Sequence, residues 1–163
     1  MKNLFIMRHA KSSWDSPELP DHDRPLNQRG KADAPRMGRW LRDYGVLPDR
    51  IISSTAKRAR KTAKAVAKVL NLSDHLELDR ELYFGTTAGW FESLRANGAD
   101  AECIMLVGHN PGLEEFLEQV SGQYESLPTA AIAHVELPIQ DWSQLDRNAG
   151  GRLVTVQRPR ELR

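Results

Sequence analysis

The chain has 163 residues, with 23 basic and 22 acidic side chains and a formal net charge of +1 at pH 7. This length suits one domain, residues 1–163, that can bury a core without help from disulfides or metal. The near-neutral charge gives no bulk attraction to nucleic acid or to a membrane surface, and the single cysteine, Cys103, excludes an internal disulfide.

The first predicted element is a buried strand of four apolar residues, 4–7, which ends at Arg8 and His9. Ligands bind at the carboxyl ends of the strands in open α/β sheets, so this pair marks a candidate site, with a simple strand cap as the alternative. The polar segment 12–25 follows, and its three prolines exclude regular structure. Long loops of this kind are often functional, which makes Arg24 a candidate anion ligand rather than only a solvated charge.

Helical spacing of apolar residues predicts a first helix over 26–44, with Gly45 as its C-terminal stop. Pro35 lies inside this helix, and we expect it to shorten or kink the first turn. A second buried strand over 50–54 then leads into a second helix over 55–70.

The second predicted helix carries two kinds of basic residue. Arg58 lies in its first turn, just beyond a strand end, where free backbone N–H groups and the helix dipole favour an anion. Another face carries lysines at helical spacing: Lys57, Lys61, Lys64 and Lys68. We interpret this lysine stripe as a solvated surface, with a contact surface for an acidic protein or nucleic acid as the alternative.

The middle of the chain repeats the opening pattern. A short strand over 75–78 and a loop containing Glu81 precede a helix over 87–96. A buried strand over 102–109 then closes on Gly108 and His109, so a second histidine stands where a strand gives way to a helix.

The last elements complete the prediction of the fold. Asn110 is typical of an N-cap and Pro111 of a first helical position, and the runs 131–137 and 151–156 predict two strands joined by a turn over 140–150. This order predicts an α/β three-layer sandwich, with a mixed, mostly parallel sheet and helices on both faces.

The predicted strand ends place Arg8, His9, Arg58 and His109 at one edge of the sheet. Guanidinium groups match the oxygens of a phosphoryl group in transfer, and a neutral imidazole can attack its phosphorus. Glu81 could then act as general acid and later as base. We expect no metal and no cofactor, because the sequence lacks a cluster of metal ligands and a Gly-rich nucleotide-binding loop.

Three motifs carry a resemblance to a known family: Leu-Phe-Ile-Met-Arg-His-Ala at 4–10, Ser-Ser-x-x-x-Arg-Ala at 53–59 and Val-Gly-His-Asn-Pro-Gly at 107–112. With them the chain resembles the histidine phosphatase superfamily, which has the phosphoglycerate-mutase-like fold. Lys-Ser-Ser-Trp at 11–14 and Asp-His-Asp-Arg-Pro-Leu-Asn at 21–27 are most similar to the SixA branch of phosphohistidine phosphatases. The resemblance covers residues 3 to about 138.

The resemblance implies a role for each matched residue. His9 would be the nucleophile that becomes phosphorylated, and Arg8 and Arg58 would clamp the phosphate. His109 would be a further phosphate ligand that stabilises the transferring group, and Arg24 would be an accessory anion ligand.

The resemblance also implies a role for one acid and shows two departures. Glu81 stands where larger members carry their proton donor, although the SixA branch releases a nitrogen leaving group that needs little acid help. Ala10 replaces the glycine of the usual Arg-His-Gly, which is tolerated if residue 10 has no positive φ. Asp15 stands where mutases place a phosphate-binding asparagine, and its charge would disfavour a small phosphorylated acid.

We therefore predict a metal-independent phosphatase whose partner is a phosphorylated substrate, a phosphohistidine-bearing protein of signal transduction. A small-molecule phosphomonoesterase or mutase-like enzyme is one alternative, and a phosphate-binding or partner-binding module without catalysis is another. We expect no nucleic acid and no membrane partner, a cytoplasmic location and a monomer. The tryptophans are expected in the core or at the rim of the site.

Overall fold

The computed structural model describes residues 1–162, which form one six-stranded sheet with four α-helices packed against it. The strands are Lys2–Arg8 (β1), Arg50–Ser53 (β2), Leu76–Leu78 (β3), Cys103–Gly108 (β4), Ile132–Leu137 (β5) and Arg152–Gln157 (β6). The helices are Gln28–Tyr44 (α1), Lys57–Leu70 (α2), Thr87–Asn97 (α3) and Gly112–Ser121 (α4). No helix in this part of the chain is long and apolar enough to cross a bilayer.

The strand order in the sheet is β3-β2-β4-β1-β5-β6. The first four strands of that order are parallel, whereas β5 and β6 add an antiparallel hairpin at one edge. The predicted mixed, mostly parallel sheet is therefore confirmed.

The side chains of β1 show why the fold has three layers. Leu4 and Ile6 pack in the core that includes residues of α3 and α4, whereas Phe5 and Met7 pack in the core that includes residues of α1 and α2. All four are fully buried, and each such side chain contributes about 2 kcal/mol through the hydrophobic effect. A strand that is apolar on both faces is therefore covered by helices on both faces, as predicted.

The first helix begins later than the sequence pattern indicates. Leu26 forms an isolated β-bridge with Ser12, and the side chain of Asn27 caps the helix by accepting a hydrogen bond from the backbone of Gly30. The helix then runs through Pro35 to Tyr44, so the predicted shortening of the first turn is wrong. The proline lies well inside the helix, beyond that turn.

The other boundaries differ by one or two residues. Pro111 occupies the N-cap position of α4 rather than the first helical position, so the predicted cap is displaced by one residue. The Asn110 side chain still serves the helix start, because its Oδ1 accepts from the backbone N–H of Glu114 at 3.2 Å. Arg58 stays in the first turn of α2, which begins at Lys57.

The burial of the tryptophans and of the lysine stripe on α2 can be compared with the predictions for them. Trp90 and Trp142 are buried and Trp40 is partly buried, whereas Trp14 is exposed and stacks on Arg24. Of the lysine stripe on α2, Lys57 is half-buried and the other three are exposed, and none makes an ion pair within residues 1–162. The stripe has the features of a solvated surface.

Three adjacent strands position the candidate site. In the order β2-β4-β1, the register pairs Ser53 with Val107 and Arg8 with Gly108, so the strands end side by side. Backbone hydrogen bonds extend the ladder beyond those ends: the N–H of His9 donates to the carbonyl of Gly108 at 3.0 Å. The residues that follow β1, β2 and β4 therefore meet at one edge of the sheet.

Candidate active site

The two histidines predicted from separate strand ends lie against each other. The ring centroids of His9 and His109 are 5.2 Å apart, and both side chains are buried. The residue before His109 must be small, because a Cβ on Gly108 would lie only 2.1 Å from the Trp90 ring. The pair forms the floor of the candidate site.

His9 is held as a neutral imidazole with one nitrogen available for chemistry. Its Nδ1 lies 2.7 Å from the carbonyl oxygen of Ala10, and because a carbonyl only accepts, Nδ1 carries the proton and Nε2 the lone pair. Burial lowers the pKa of His9 to about 4, and Arg58, Arg8 and Arg24 act in the same direction. His9 is therefore an uncharged imidazole at neutral pH, with the Nε2 lone pair available.

Ser54, at the end of β2, orients the second histidine. Its Oγ lies 2.8 Å from His109 Nε2 and accepts the backbone N–H of Ala56. The hydroxyl can therefore donate its own proton to Nε2, which leaves the ring proton on Nδ1. Burial, followed by the nearby His9 and Arg58, lowers the pKa of His109 to about 3, so this ring is also neutral.

Unpaired donors are concentrated in the same pocket. Arg8 Nε, Arg58 Nε and His109 Nδ1 are buried and make no hydrogen bond within residues 1–162, and they are half of the six such side-chain atoms there. Leaving a buried polar group unpaired costs about 1–3 kcal/mol, so native proteins seldom cluster such groups without a ligand that accepts from them. Two guanidinium groups and one imidazole N–H suit the oxygens of a phosphoryl group.

Arg24 also reaches the site, from the long loop after β1. Its Nη1 donates to Ser12 Oγ at 2.9 Å, its Nε donates to Asp21 at 3.2 Å, and its guanidinium stacks 3.6 Å from the centre of the Trp14 ring. It is close enough to His9 to lower the pKa of that ring. The loop therefore places a third guanidinium near His9, and its role as an anion ligand stays a prediction.

Asp21 is a site residue that the sequence does not single out. Its carboxylate accepts hydrogen bonds from Arg58, Arg24 and Tyr83, and its backbone carbonyl accepts a further bond from Arg58. Partial burial raises the pKa of Asp21, but the hydrogen bonds from Tyr83 and the two arginines outweigh burial and hold the pKa at about 2. The carboxylate is therefore ionised at neutral pH.

Tyr83 is the second residue that the sequence does not reveal. Its hydroxyl donates to Asp21 Oδ2 at 2.9 Å, and its ring lies 5.7 Å from that of His109 in an edge-on arrangement. It also lines a cavity of about 380 Å³, together with His22, Thr55, Arg80 and Phe84. Tyr83 therefore lies between this cavity and the histidine pair, because it lines the cavity and its ring contacts that of His109.

Two other residues named from the sequence, Glu81 and Asp15, are exposed, and a third, Ala10, is buried. Glu81 is exposed on a 3₁₀ turn, and its hydrogen bond within residues 1–162 is made by its backbone to Asp79. Asp15 is also exposed. Ala10 is buried without a positive φ, and its N–H donates to Thr62 Oγ1 at 3.0 Å, so alanine fits here without strain.

The assembled site has the chemistry of an anion pocket rather than of a metal centre. Within residues 1–162, no three His, Cys, Asp or Glu side chains are grouped as metal ligands would be. A neutral imidazole close to three arginines could attack a phosphoryl group, whose negative charge the guanidinium groups would offset.

Comparison with known proteins agrees with this chemistry. The histidine phosphatase superfamily (branch 1) matches residues 4–103. A chloroplastic protein of Arabidopsis thaliana, uncharacterised, is 33% identical over 152 residues, which is 88% of this chain and 70% of that protein.

Solved structures extend the match over the whole chain. The protein histidine phosphatase SixA in complex with tungstate has a TM-score of 0.84 at 26% identity, and the match covers 99% of each chain. A protein of Agrobacterium tumefaciens, provisionally assigned as the phosphohistidine phosphatase SixA, has a TM-score of 0.80 at 29% identity, over 96% of this chain and 97% of the other. The chain therefore belongs to the histidine phosphatase superfamily and is a phosphatase.

Proposed function

We propose that the protein is a phosphohistidine phosphatase that works through a phosphorylated intermediate on His9. The observation that carries the proposal is the similarity to SixA, with a TM-score of 0.84 over 99% of both chains. In this proposal the phosphohistidine is presented by another protein, a signalling protein.

In the first step, Nε2 of His9 attacks the phosphorus of the substrate. Its lone pair is free because Nδ1 holds the proton against the Ala10 carbonyl, and its low pKa keeps it unprotonated. As the new bond between Nε2 and phosphorus forms, the bond from phosphorus to the substrate nitrogen breaks. A proton already on the other nitrogen of the substrate ring lets that ring leave as neutral imidazole.

The positive groups of the pocket hold the transferring phosphoryl group. Arg8 and Arg58 each have a buried Nε–H without a partner, and His109 has a buried Nδ1 in the same condition. In this proposal the three donors bind the equatorial oxygens, where negative charge is spread in the transition state. Arg24 adds charge from the loop side.

In the second step, water hydrolyses phosphorylated His9. The water oxygen bonds to phosphorus while the bond to Nε2 breaks, which releases inorganic phosphate and restores the neutral ring. One proton of the water passes to solvent or to the departing phosphate. The exposed position of Glu81 agrees with a branch in which a nitrogen leaving group needs little acid help, and its role as proton donor stays a prediction.

The surroundings of the pocket support the choice of substrate. The cavity beside Tyr83 has aromatic walls, from Tyr83 and Phe84, that suit a planar leaving group such as imidazole. The carboxylate of Asp21 lies at the pocket, where it disfavours a phosphorylated carboxylic acid. The monomeric state and the cytoplasmic location stay predictions.

The test compares substrates and follows the intermediate. We expect a chemically phosphorylated histidine protein to be dephosphorylated with a higher kcat/KM than phosphoglycerate, sugar phosphates or para-nitrophenyl phosphate. Labelled substrate should leave an acid-labile, base-stable label on the enzyme, and His9→Ala should abolish both label and turnover. A preference for a small phosphate ester would assign the enzyme to small-molecule hydrolysis, and full activity of His9→Ala would refute the mechanism.

A further inference from the structure

The carboxylate of Asp21 is the point at which three side chains of the pocket meet. Arg58 Nη2 donates to its Oδ2 at 3.0 Å, Tyr83 donates to the same oxygen at 2.9 Å, and Arg24 Nε donates to its Oδ1 at 3.2 Å. Arg58 Nη1 also donates to the backbone carbonyl of Asp21 at 2.8 Å. One residue of the loop therefore fixes two of the three arginines near His9.

We propose that Asp21 is a positioning residue that sets Arg58 and Arg24 in the geometry needed by the transferring phosphoryl group, an inference that rests on the proposed phosphatase mechanism. Two of the five N–H donors of Arg58 are committed to Asp21. These bonds hold the far end of the guanidinium, and its buried Nε–H is left without a partner. The side of the Arg58 guanidinium that carries this Nε–H is therefore available to an oxyanion.

Holding an arginine in advance has an energetic consequence. The Arg side chain has about 2 kcal/mol of rotamer entropy, which would otherwise be lost when the phosphoryl group is gripped. Because Asp21 already orders Arg58 and Arg24, the rotamer entropy of these side chains is lost when the protein folds and not when the transition state forms. Asp21 thus acts on the reaction through the arginines and need not touch the substrate.

Two other roles for Asp21 fit the contacts less well. A general acid must hold a proton, whereas Asp21 accepts from three donors and offers no hydrogen bond of its own. A carboxylate that competes with phosphate for its ligands would occupy the buried Nε–H groups of Arg8 and Arg58. Those nitrogens are the ones left unpaired.

The charge of the pocket gives the proposal a distinctive signature. With both histidines neutral, the three arginines outnumber the acids that act on them, Asp21 and Glu114, so the pocket carries a net positive charge. Removal of the carboxylate therefore makes the pocket more positive while it releases Arg58 and Arg24. Ground-state attraction for an anion should be kept or strengthened, and the transition state should lose its aligned donors.

The experiment compares Asp21→Ala and Asp21→Asn with Asp23→Asn. Asp23 is an exposed acid on the same 3₁₀ turn, Asp21–Asp23, and its Oδ1 lies 3.7 Å from His22 Nδ1, so it is a matched control for loss of charge in this loop. With para-nitrophenyl phosphate we expect kcat to fall by about 10-fold to 100-fold for Asp21→Ala. Asp21→Asn should fall less, because the amide oxygen still accepts. KM and the inhibition constant of inorganic phosphate should not rise, and Asp23→Asn should match the parent.

A readout without turnover separates this proposal from the proposed function. The ¹⁵N NMR signal of Arg58 Nε–H, assigned by its loss in Arg58→Lys, should be resolved in the parent and broadened by exchange with water in Asp21→Ala. If the parent cleaves the nitrophenyl ester but not phosphohistidine, the substrate assignment fails and the comparison at Asp21 still stands.

Three results would overturn the role of Asp21. The first is an unchanged or higher kcat in Asp21→Ala, and the second is a loss of activity that appears in KM and in phosphate binding instead of kcat. The third is a loss of activity explained by a lower melting temperature, with an unchanged Arg58 signal in the folded fraction.

Discussion

Acidification should destabilise the fold through the two buried imidazoles of the site, His9 and His109. An ordinary histidine has a pKa of 6.5, whereas burial lowers the values in the folded protein to about 4 and about 3. Between the folded and unfolded values, only the unfolded chain takes up the protons. The stability contribution is therefore complete above about pH 6.5 and is lost progressively as the pH falls toward 3.

The size of the effect follows from the distance below pH 6.5. At about pH 5 each ring is protonated in the unfolded chain and neutral in the folded protein, so each lowers the free energy of unfolding by about 2 kcal/mol relative to about pH 7.5. Two rings give up to about 4 kcal/mol, a large share of the 5–15 kcal/mol that is typical of a domain. Burial also lowers the pKa of His134, which adds a contribution of the same sign.

Urea denaturation followed by tryptophan fluorescence would measure this loss, in buffers without phosphate because a bound anion would stabilise the folded state. In His9→Gln and His109→Gln the pH dependence should be reduced, and in the double variant only the remainder from other groups such as His134 should persist. A parent protein whose unfolding free energy changes by less than about 1 kcal/mol over this range would refute the reasoning, as would a double variant with the full dependence.

Three further outcomes are expected. Ser54→Ala removes the hydroxyl that orients the second histidine and should lower kcat by about 10-fold, whereas the neighbouring buried Ser53→Ala should have a smaller effect. Glu81→Gln should slow esters with poor leaving groups more than phosphohistidine, and an equal effect on kcat/KM for both would contradict a role as proton donor. Gly108→Ala should lower the free energy of unfolding by about 1–3 kcal/mol, since its Cβ would meet Trp90 at 2.1 Å; denaturant curves that coincide with the parent's would contradict this packing argument.

The elements of the fold could be predicted because their signals are local. The apolar run of β1 identifies a strand buried on both faces, and the Arg-His pair at its end marks the ligand edge of the sheet. Boundaries were less predictable where a contact from far along the chain decides them. Leu26 fits the helical pattern, yet it pairs with Ser12 and leaves Asn27 to begin α1.

The site could be predicted only in part, for the same physical reason. His9 and His109 each follow a buried strand, so their pattern is visible in the sequence. Asp21 is one charge among several in a proline-rich loop, and its partner Arg58 lies 37 residues away. The role of Ser54 depends on the pairing of β2 with β4, which places it beside His109. No periodicity carries such information.

The pairing of parallel strands also sets the distance between the two histidines of the site. Neighbouring strands lie about 4.8 Å apart, and the two imidazoles that follow the adjacent strands β1 and β4 are 5.2 Å apart between ring centres. The distance between His9 and His109 thus follows from the pairing of β1 with β4. Side-chain changes in the surrounding loops do not alter that pairing. Changes in those loops, between β1 and α1 and between β3 and α3, would alter what surrounds the two rings, including Arg24 and Asp21, and leave the separation of His9 and His109 as it is.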